Sequence, residues 1–306
     1  MVVLCSVCQR RSYCSHKCQI TDWELGHQHW CGKAGERSID YEICKSQDRG
    51  LGVFALKQFE VGDTIMAEHA LMKVDLDVPS VLSAISDLMP HDSADIDAKF
   101  SLNSIGIGAS SGECHIFINM SRVNHHCIGN SDHYYILEHG VKILTATKTI
   151  QAGEEITFSY INFMTHPQYY PYLEKKWKFT CNCSACGDVD VFSKLMLLQP
   201  LDQQITQLGR ARQFDEALAV GRELLQLYDA LQVSPLLYMR TYYDMFQLTA
   251  TRRSTLNQAR EYIQRAYSTA VMVFGDRDIR EVQRYKALVE DITTHNAYLL
   301  NERLEP

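Results

Sequence analysis

No apolar run in the 306-residue sequence reaches the roughly 18 residues that a membrane-spanning helix needs. The four residues before the first cysteine are too short for the apolar stretch of a secretory signal, so the expected setting is intracellular, nuclear or cytoplasmic. Positive charge is in short supply, with 30 Lys and Arg against 37 Asp and Glu and a formal net charge of −7. That balance speaks against direct, sequence-independent binding of nucleic acid, which needs clustered cations to displace counterions. It is compatible with a basic partner such as a Lys-rich tail. There is no low-complexity segment and no long Gly/Ser linker. What is left, 46% hydrophobic and 22% charged, is the composition of a soluble globular protein. The length suits about two domains.

Cysteine is what the chain does have. Of its 11 cysteines, five form a group near the front: Cys5, Cys8, Cys14, Cys18 and Cys31. Three more, Cys181, Cys183 and Cys186, are closely spaced, with Cys127 as a distant fourth member. Cys44 and Cys114 stand apart. In a reducing compartment, close cysteine pairs read as metal ligands rather than disulfides. Cys5-x-x-Cys8 is a zinc knuckle that needs two more ligands, and His27 and Cys31, four apart, supply such a pair.

Between these groups the pattern is mostly strand-like. Arg49-Gly50-Leu51-Gly52 reads as a flexible turn before an apolar stretch at 53–56, and Val61-Gly62-Asp63 as a hairpin turn leading into a strand at 64–67. A helix is expected around 81–89, ended by Pro90. Val141, Ile143 and Thr145 alternate with Lys142, Leu144 and Ala146. After a turn at 151–154, Ile156, Phe158 and Tyr160 are expected on the apolar face of one strand, with Tyr160 at its end. From about residue 190 the period becomes helical. Ala217, Val220, Leu224, Leu227 and Leu231 step by threes and fours, as do Ala259, Ile263, Ala266, Ala270 and Val273, and Gly275 is placed to end the second run. The small residues suggest closely packed hairpins of tetratricopeptide type, or a plain helical bundle.

The phrase Tyr13-Cys14-Ser15-His16-Lys17-Cys18-Gln19, followed by Trp23, His27 and Cys31, resembles the MYND zinc finger. In that family four ligand pairs interleave to bind two zincs. The resemblance implies one complete site from Cys5, Cys8, His27 and Cys31. Cys14 and Cys18 are left with half a site, because the family's first pair has no counterpart upstream; His16 or His29 could complete it. MYND fingers bind proteins, and in some a Gln and a Trp contact proline-containing peptides. Gln19 and Trp23 hold those places, although Trp23 could equally just pack the finger.

Four further motifs, in order, resemble the SET domain of protein methyltransferases, closest to the SMYD-type and fungal members. They are Arg49-Gly50-Leu51-Gly52-Val53-Phe54-Ala55, Asn124-His125-His126-Cys127, Gly153-Glu154-Glu155-Ile156-Thr157-Phe158-Ser159-Tyr160, and the cysteine-rich end Phe179-Thr180-Cys181-Asn182-Cys183-Ser184-Ala185-Cys186. The resemblance implies S-adenosylmethionine as cofactor and a lysine of a protein as substrate. It makes Tyr160 the catalytic tyrosine that orients the lysine amine. Cofactor contacts would come from Arg49, Gly50, Leu51, Asn103, Ser121, Asn124, His125, Tyr160 and Phe179, with Asn103 equally readable as a turn-former. It also implies one zinc held by Cys127, Cys181, Cys183 and Cys186. The chain departs from the family at His126, usually Ser, at Gly129, usually Pro, and at Trp177, where many SMYD enzymes have Tyr and fungal relatives often Trp. Here the finger precedes the Arg-Gly-x-Gly strand instead of following it.

These readings together predict an α+β protein. A MYND-type zinc finger would occupy residues 1–35, a β-rich SET and post-SET domain 41–187, and a helical, tetratricopeptide-like region 190–306. The expected function is lysine methylation of a protein, histone or non-histone. The alternative is a catalytically weak MYND/SET scaffold for protein–protein interaction.

Overall fold

The computed structural model describes residues 3–6, 12–24, 40–46, 49–70, 88, 96–106, 114–137, 140–161, 169–275 and 279–304. The expected helix at 81–89 lies, apart from Leu88, outside the described residues. Two compact units result. One joins Met1–His125 to Asn130–Phe158, and the other joins His126–Gly129 to Ser159–Pro306.

The first unit is built from short sheets. Strands β1 (Val3–Leu4) and β2 (Ser12–Tyr13) pair antiparallel before helix α1 (His16–Glu24). The Tyr13 hydroxyl donates to Asp22 of that helix at 2.7 Å, so the tyrosine ties the helix to the strand pair. β3 (Tyr41–Ser46) and β4 (Gly50–Ala55) pair antiparallel in register from Tyr41–Ala55 to Ser46–Gly50. Next come β5 (Thr64–His69), helix α2 (Ile96–Asn103) and the strand pair β6 (Ser104–Gly106) and β7 (Cys114–Ile116). They are followed by β8 (Asn124–His125), β9 (Ser131–Ile136), β10 (Val141–Ala146) and β11 (Glu155–Phe158). One sheet runs β3-β4-β11-β8, with β8 and β11 parallel, and another runs β5-β10-β9.

Three expectations change here. The turn at 61–63 forms, with Gly62 at φ 92°, but β4 and β5 belong to different sheets, so it is not a hairpin. β10 is buried at every position instead of on one face, because β5 and β9 flank it and Lys142 is drawn inside with the rest. β11 stops at Phe158, so Tyr160 lies two residues beyond the strand, not on its last apolar position. The turn at 151–154 forms as expected, with Gly153 at φ 85° and Glu154 N–H donating to the Gln151 carbonyl at 3.0 Å.

The second unit is helical: α3 (Tyr169–Trp177), α4 (Ser184–Gly187), α5 (Val189–Arg210), α6 (Phe214–Leu231), α7 (Pro235–Thr249), α8 (Leu256–Phe274), α9 (Arg280–Glu290) and α10 (Leu300–Leu304). The starts follow capping rules. The Asp188 carboxylate accepts from the N–H groups of Asp190 and Val191, and the Ser234 hydroxyl accepts from Leu236 N–H with Pro235 opening α7. Each long helix from α5 to α9 packs on the next. Small residues allow the close approach: a Cβ on Gly221 of α6 would stand 3.2 Å from the Met245 side chain of α7. On α8 the stepped residues Ala259, Ile263, Ala266, Ala270 and Val273 are all buried, and Gly275 ends the helix at φ 72°. No described helix is long and apolar enough to cross a membrane.

Candidate functional site

Around the turn that opens β4, the first unit gathers five of the expected cofactor residues. The Asn124 amide donates to the Leu51 carbonyl at 3.1 Å and to Glu155 Oε1 at 2.7 Å. Arg49 donates to the His125 carbonyl at 3.2 Å, and its guanidinium faces the other Glu155 oxygen at 3.9 Å. Glu155 therefore holds the Arg49 turn and the Asn124 strand together. The pattern of the sequence had assigned it no role. Gly52 is required at this join, because a Cβ there would collide with the Glu155 carboxylate and press on the Asn124 amide at 3.1 Å. Gly50, at φ 77°, has open space where a side chain would be. The result is a backbone edge that a ligand can approach closely.

A second network in the same unit positions Ser121. The buried Glu68 carboxylate accepts from the N–H groups of Asn119 and Met120, each at 3.0 Å, and so caps the short turn Met120–Arg122. Ser121 donates to the carbonyls of Phe117 at 2.7 Å and Asn103 at 2.9 Å. The Asn103 amide itself turns back to the Lys99 carbonyl at 2.7 Å, closing the end of α2. Asn130 pins β11, accepting from Thr157 N–H at 2.8 Å and donating to the Glu155 carbonyl at 2.9 Å. Glu68 lies 51 residues from its partner, so no local pattern could have exposed it.

The second unit holds the other expected residues. Tyr160 packs at 5.1 Å between ring centroids on Trp177, and Phe179 meets it edge-on at 6.4 Å. Tyr172 closes on Trp177 at 5.9 Å. These rings pack against the core that contains Cys127, Cys181 and Cys183. The thiol sulfurs of Cys127, Cys181, Cys183 and Cys186 all lie within 4.8 Å of one another, with Cys127 3.2 Å from Cys186 and 3.8 Å from Cys181. Cys183 sits 3.5 Å from Cys186. Four thiols, three of them buried, converging without a disulfide fit one tetrahedral zinc. Hydrogen bonds from Cys127 and Cys181 hold the Cys183 thiol well below its usual range. The hydrogen bond to Cys183 and burial push the Cys181 thiol up to about 12, so the pair shares a proton and Cys183 carries the thiolate a metal requires. His126, the departure from the family's Ser, has a use here. Its Nδ1 accepts from Ile128 N–H at 3.0 Å and its Nε2 lies 3.0 Å from Ser184 Oγ, bridging the segment of Cys127 to that of Cys183.

In the finger, Cys8, His27 and Cys31 lie outside the described residues. Cys5 is buried, while Cys14 and Cys18 are exposed with their sulfurs 2.9 Å apart. Hydrogen bonds from Cys14 and Ser15 hold the Cys18 thiol below its ordinary value. Among the described residues they form no group of three metal-ligating side chains. On the same helix Trp23 is 38% exposed and Ile20 58%.

Residues 50–161 match the SET domain family, and residues 1–31 match the MYND finger. The chain thus carries a stretch that matches a SET domain, with a match to a MYND finger before it and a helical region behind. Among its relatives is the histone-lysine N-methyltransferase set5 of Schizosaccharomyces pombe, 26% identical over 162 residues, which are 48% of this chain and 50% of that protein. The SET domain-containing protein 14 of Caenorhabditis elegans is 26% identical over 212 residues, 61% of this chain and 48% of that protein. The protein-lysine N-trimethyltransferase SMYD5 of Gallus gallus is 28% identical over 174 residues, 54% of this chain and 37% of that protein. The chain thus spans half or less of the length of these curated relatives.

Proposed function

We propose that the protein transfers a methyl group from S-adenosylmethionine to a lysine of a protein substrate. The observation that carries this reading is Tyr160, set among Trp177 and Phe179 beside the four-cysteine cluster, in a chain whose residues 50–161 match the SET domain. When bound, the cofactor supplies an electrophilic methyl group on a sulfonium. The work left to this chain is to deliver a neutral amine in line with it. A free lysine titrates near about 10.4, and the apolar walls formed by Tyr172, Trp177 and Phe179 disfavour its charged form. The Tyr160 hydroxyl orients the amine lone pair. Arg49, Gly50, Leu51, Ser121, Asn124 and His125 would hold the cofactor, and Phe179 would offer a ring for its adenine. Asn103 takes part through its carbonyl, which fixes Ser121. Cys127, Cys181, Cys183 and Cys186 would hold a zinc that ties down the segment on which Phe179 sits. The finger binds protein, and the exposed Trp23 with Gln19 suits a proline-containing segment.

Tyr160→Phe should lower methyl transfer to a verified substrate by at least about a hundredfold, the scale of losing one positioned polar group in a transition state. The shift in melting temperature on adding S-adenosylmethionine should stay nearly as large as in the parent. Full turnover by this variant would remove Tyr160 from the mechanism. The absence of any cofactor-induced shift in the parent would favour the scaffold reading.

A further inference from the structure

Far from these residues in sequence, the helical unit holds an open cleft of about 260 Å³ between α7, α9 and the turn after it, lined by Tyr243, Arg284, Ala287, Leu288 and His295, with Arg284 and Ala287 exposed. Its chemistry is set by one arginine. The Arg284 guanidinium lies over the Tyr243 ring at 4.5 Å and the Tyr285 ring at 5.0 Å, and one of its N–H groups donates to the Tyr285 hydroxyl at 3.2 Å. Stacking on two rings fixes the plane of the fork. No carboxylate among the described residues comes within ion-pair distance of it, although Glu281 stands one turn earlier on the same helix. An arginine held by two rings and one phenol oxygen keeps most of its five N–H donors for something else.

The neighbouring histidine adds a second donor. His295 Nδ1 accepts from the backbone N–H of Ala297 at 3.1 Å, so a neutral ring carries its proton on Nε2. Burial and the charge of Arg284 both lower the basicity of His295 and keep the ring neutral. Nε2–H then donates to the Tyr243 oxygen, 3.0 Å away. Burial pushes the Tyr243 phenol up, so it keeps its own proton. That proton has no other acceptor among the described residues, and it is free to point into the cleft.

From a guanidinium stacked on the ring whose phenol O–H is left over, with no carboxylate paired with either among the described residues, we propose that this cleft binds a peptide carboxylate. Both donors match the two oxygens of such a group, and a forked guanidinium takes them side by side. The carboxylate could come from an Asp or Glu side chain or from a chain terminus, since the two present the same atoms.

The test uses the full chain and three fluorescein-labelled Gly/Ser peptides, read by fluorescence anisotropy. One has internal glutamates and an amidated end, one has no glutamate and a free end, and one is neutral throughout. Binding of the first or the second, but not the third, is expected, and which of the two binds identifies the source of the carboxylate. Arg284→Gln should weaken that binding by at least about tenfold, the effect of removing one member of a close charge pair. Arg284→Lys should not restore it, because a point charge lacks the fork. Tyr243→Phe keeps the ring under Arg284 and should weaken binding roughly threefold, as for one hydrogen bond; it remains informative if Arg284→Gln proves unstable. Equal binding of all three peptides, no binding of any, or unchanged affinity in Arg284→Gln and Tyr243→Phe would each overturn the proposal.

Discussion

The chain has two groups of cysteines, and they are held in opposite ways. Cys127, Cys181, Cys183 and Cys186 come from positions up to 59 residues apart, yet their sulfurs converge and three of the four are buried in the core of the helical unit. Cys14 and Cys18 are neighbours on the sequence, their sulfurs are closer still at 2.9 Å, and both are exposed. Among the described residues the second group brings only two ligand-type side chains together. What distinguishes the first group is that closing it also closes the hydrophobic core, so that metal and packing stabilise each other. In the second group two thiols meet at the start of a helix that has no buried residue. Their geometry is a local consequence of the four-residue spacing.

The contrast is broken most severely by Cys181→Ser. A structural zinc contributes on the order of 10 kcal/mol to the folding of a small site. Removal of one of four ligands should abolish tight zinc retention at this cluster and lower the melting temperature of the helical unit. Affinity for S-adenosylmethionine should fall with it, because Phe179 loses its anchor. Zinc analysis after dialysis and calorimetric titration of the cofactor check the two halves. Retention of zinc together with unchanged cofactor affinity would uncouple the cluster from the site.

The next largest effect is one of reactivity. Under native conditions iodoacetamide should modify Cys14 and Cys18 ahead of the buried cluster, by on the order of tenfold in rate, because both thiols are exposed and hydrogen bonds from Cys14 and Ser15 hold the Cys18 thiol below its ordinary value. Mass-spectrometric mapping of adducts against time is the measurement. Early modification of Cys127 or Cys183 would mean that the cluster opens readily.

How much of this could be read from the residues depended on the range of the interactions. The four-cysteine cluster, the turn at 151–154 and the stepped faces of α6 and α8 were legible. Each is stated either by a motif or by a short period. The helix interiors at Ala259 through Val273 came out buried as the spacing required. Interactions made across the fold were not legible. Glu68 reaches Asn119 and Met120, and Glu155 bridges Arg49 to Asn124; a lone glutamate in a strand carries no mark of such partners. The end of β11 was misplaced for a related reason. Alternation of Ile156, Phe158 and Tyr160 describes side-chain direction, whereas the strand lasts only as long as a partner remains beside it; the β4 pairing ends at Ile156 and the β8 pairing at Phe158.

His126 sharpens the comparison at intermediate scale. Its ring ties the Cys127 segment to Ser184, and the exposed thiols of the finger have no comparable bridge to a distant segment among the described residues. His126→Ala should leave the four ligands in place but speed zinc release to a chromogenic chelator by roughly tenfold, as for loss of a hydrogen-bonded group supporting a metal site. Ser184→Ala should act in the same direction, and the double variant should be little worse than either alone. Additive effects would show that the two side chains do not act as a pair.

The smallest effect should follow from replacing both exposed thiols, Cys14→Ser with Cys18→Ser. Substitutions at exposed positions usually change stability by no more than about 0.5 kcal/mol, and among the described residues neither thiol belongs to a hydrophobic core. Ligand arithmetic gives the same answer for metal. The six ligand-type residues of the finger and the four of the rear cluster fill two sites of four and leave two residues over, which by the interleaved order of MYND fingers are Cys14 and Cys18. Native mass spectrometry should therefore find two tightly held zincs in the parent and two in the double variant, with melting temperatures nearly equal. Three zincs in the parent and two in the variant would show that the exposed pair belongs to a closed site after all. His16, His29 or another side chain would then complete it, and the difference between the two cysteine groups would be one of burial alone.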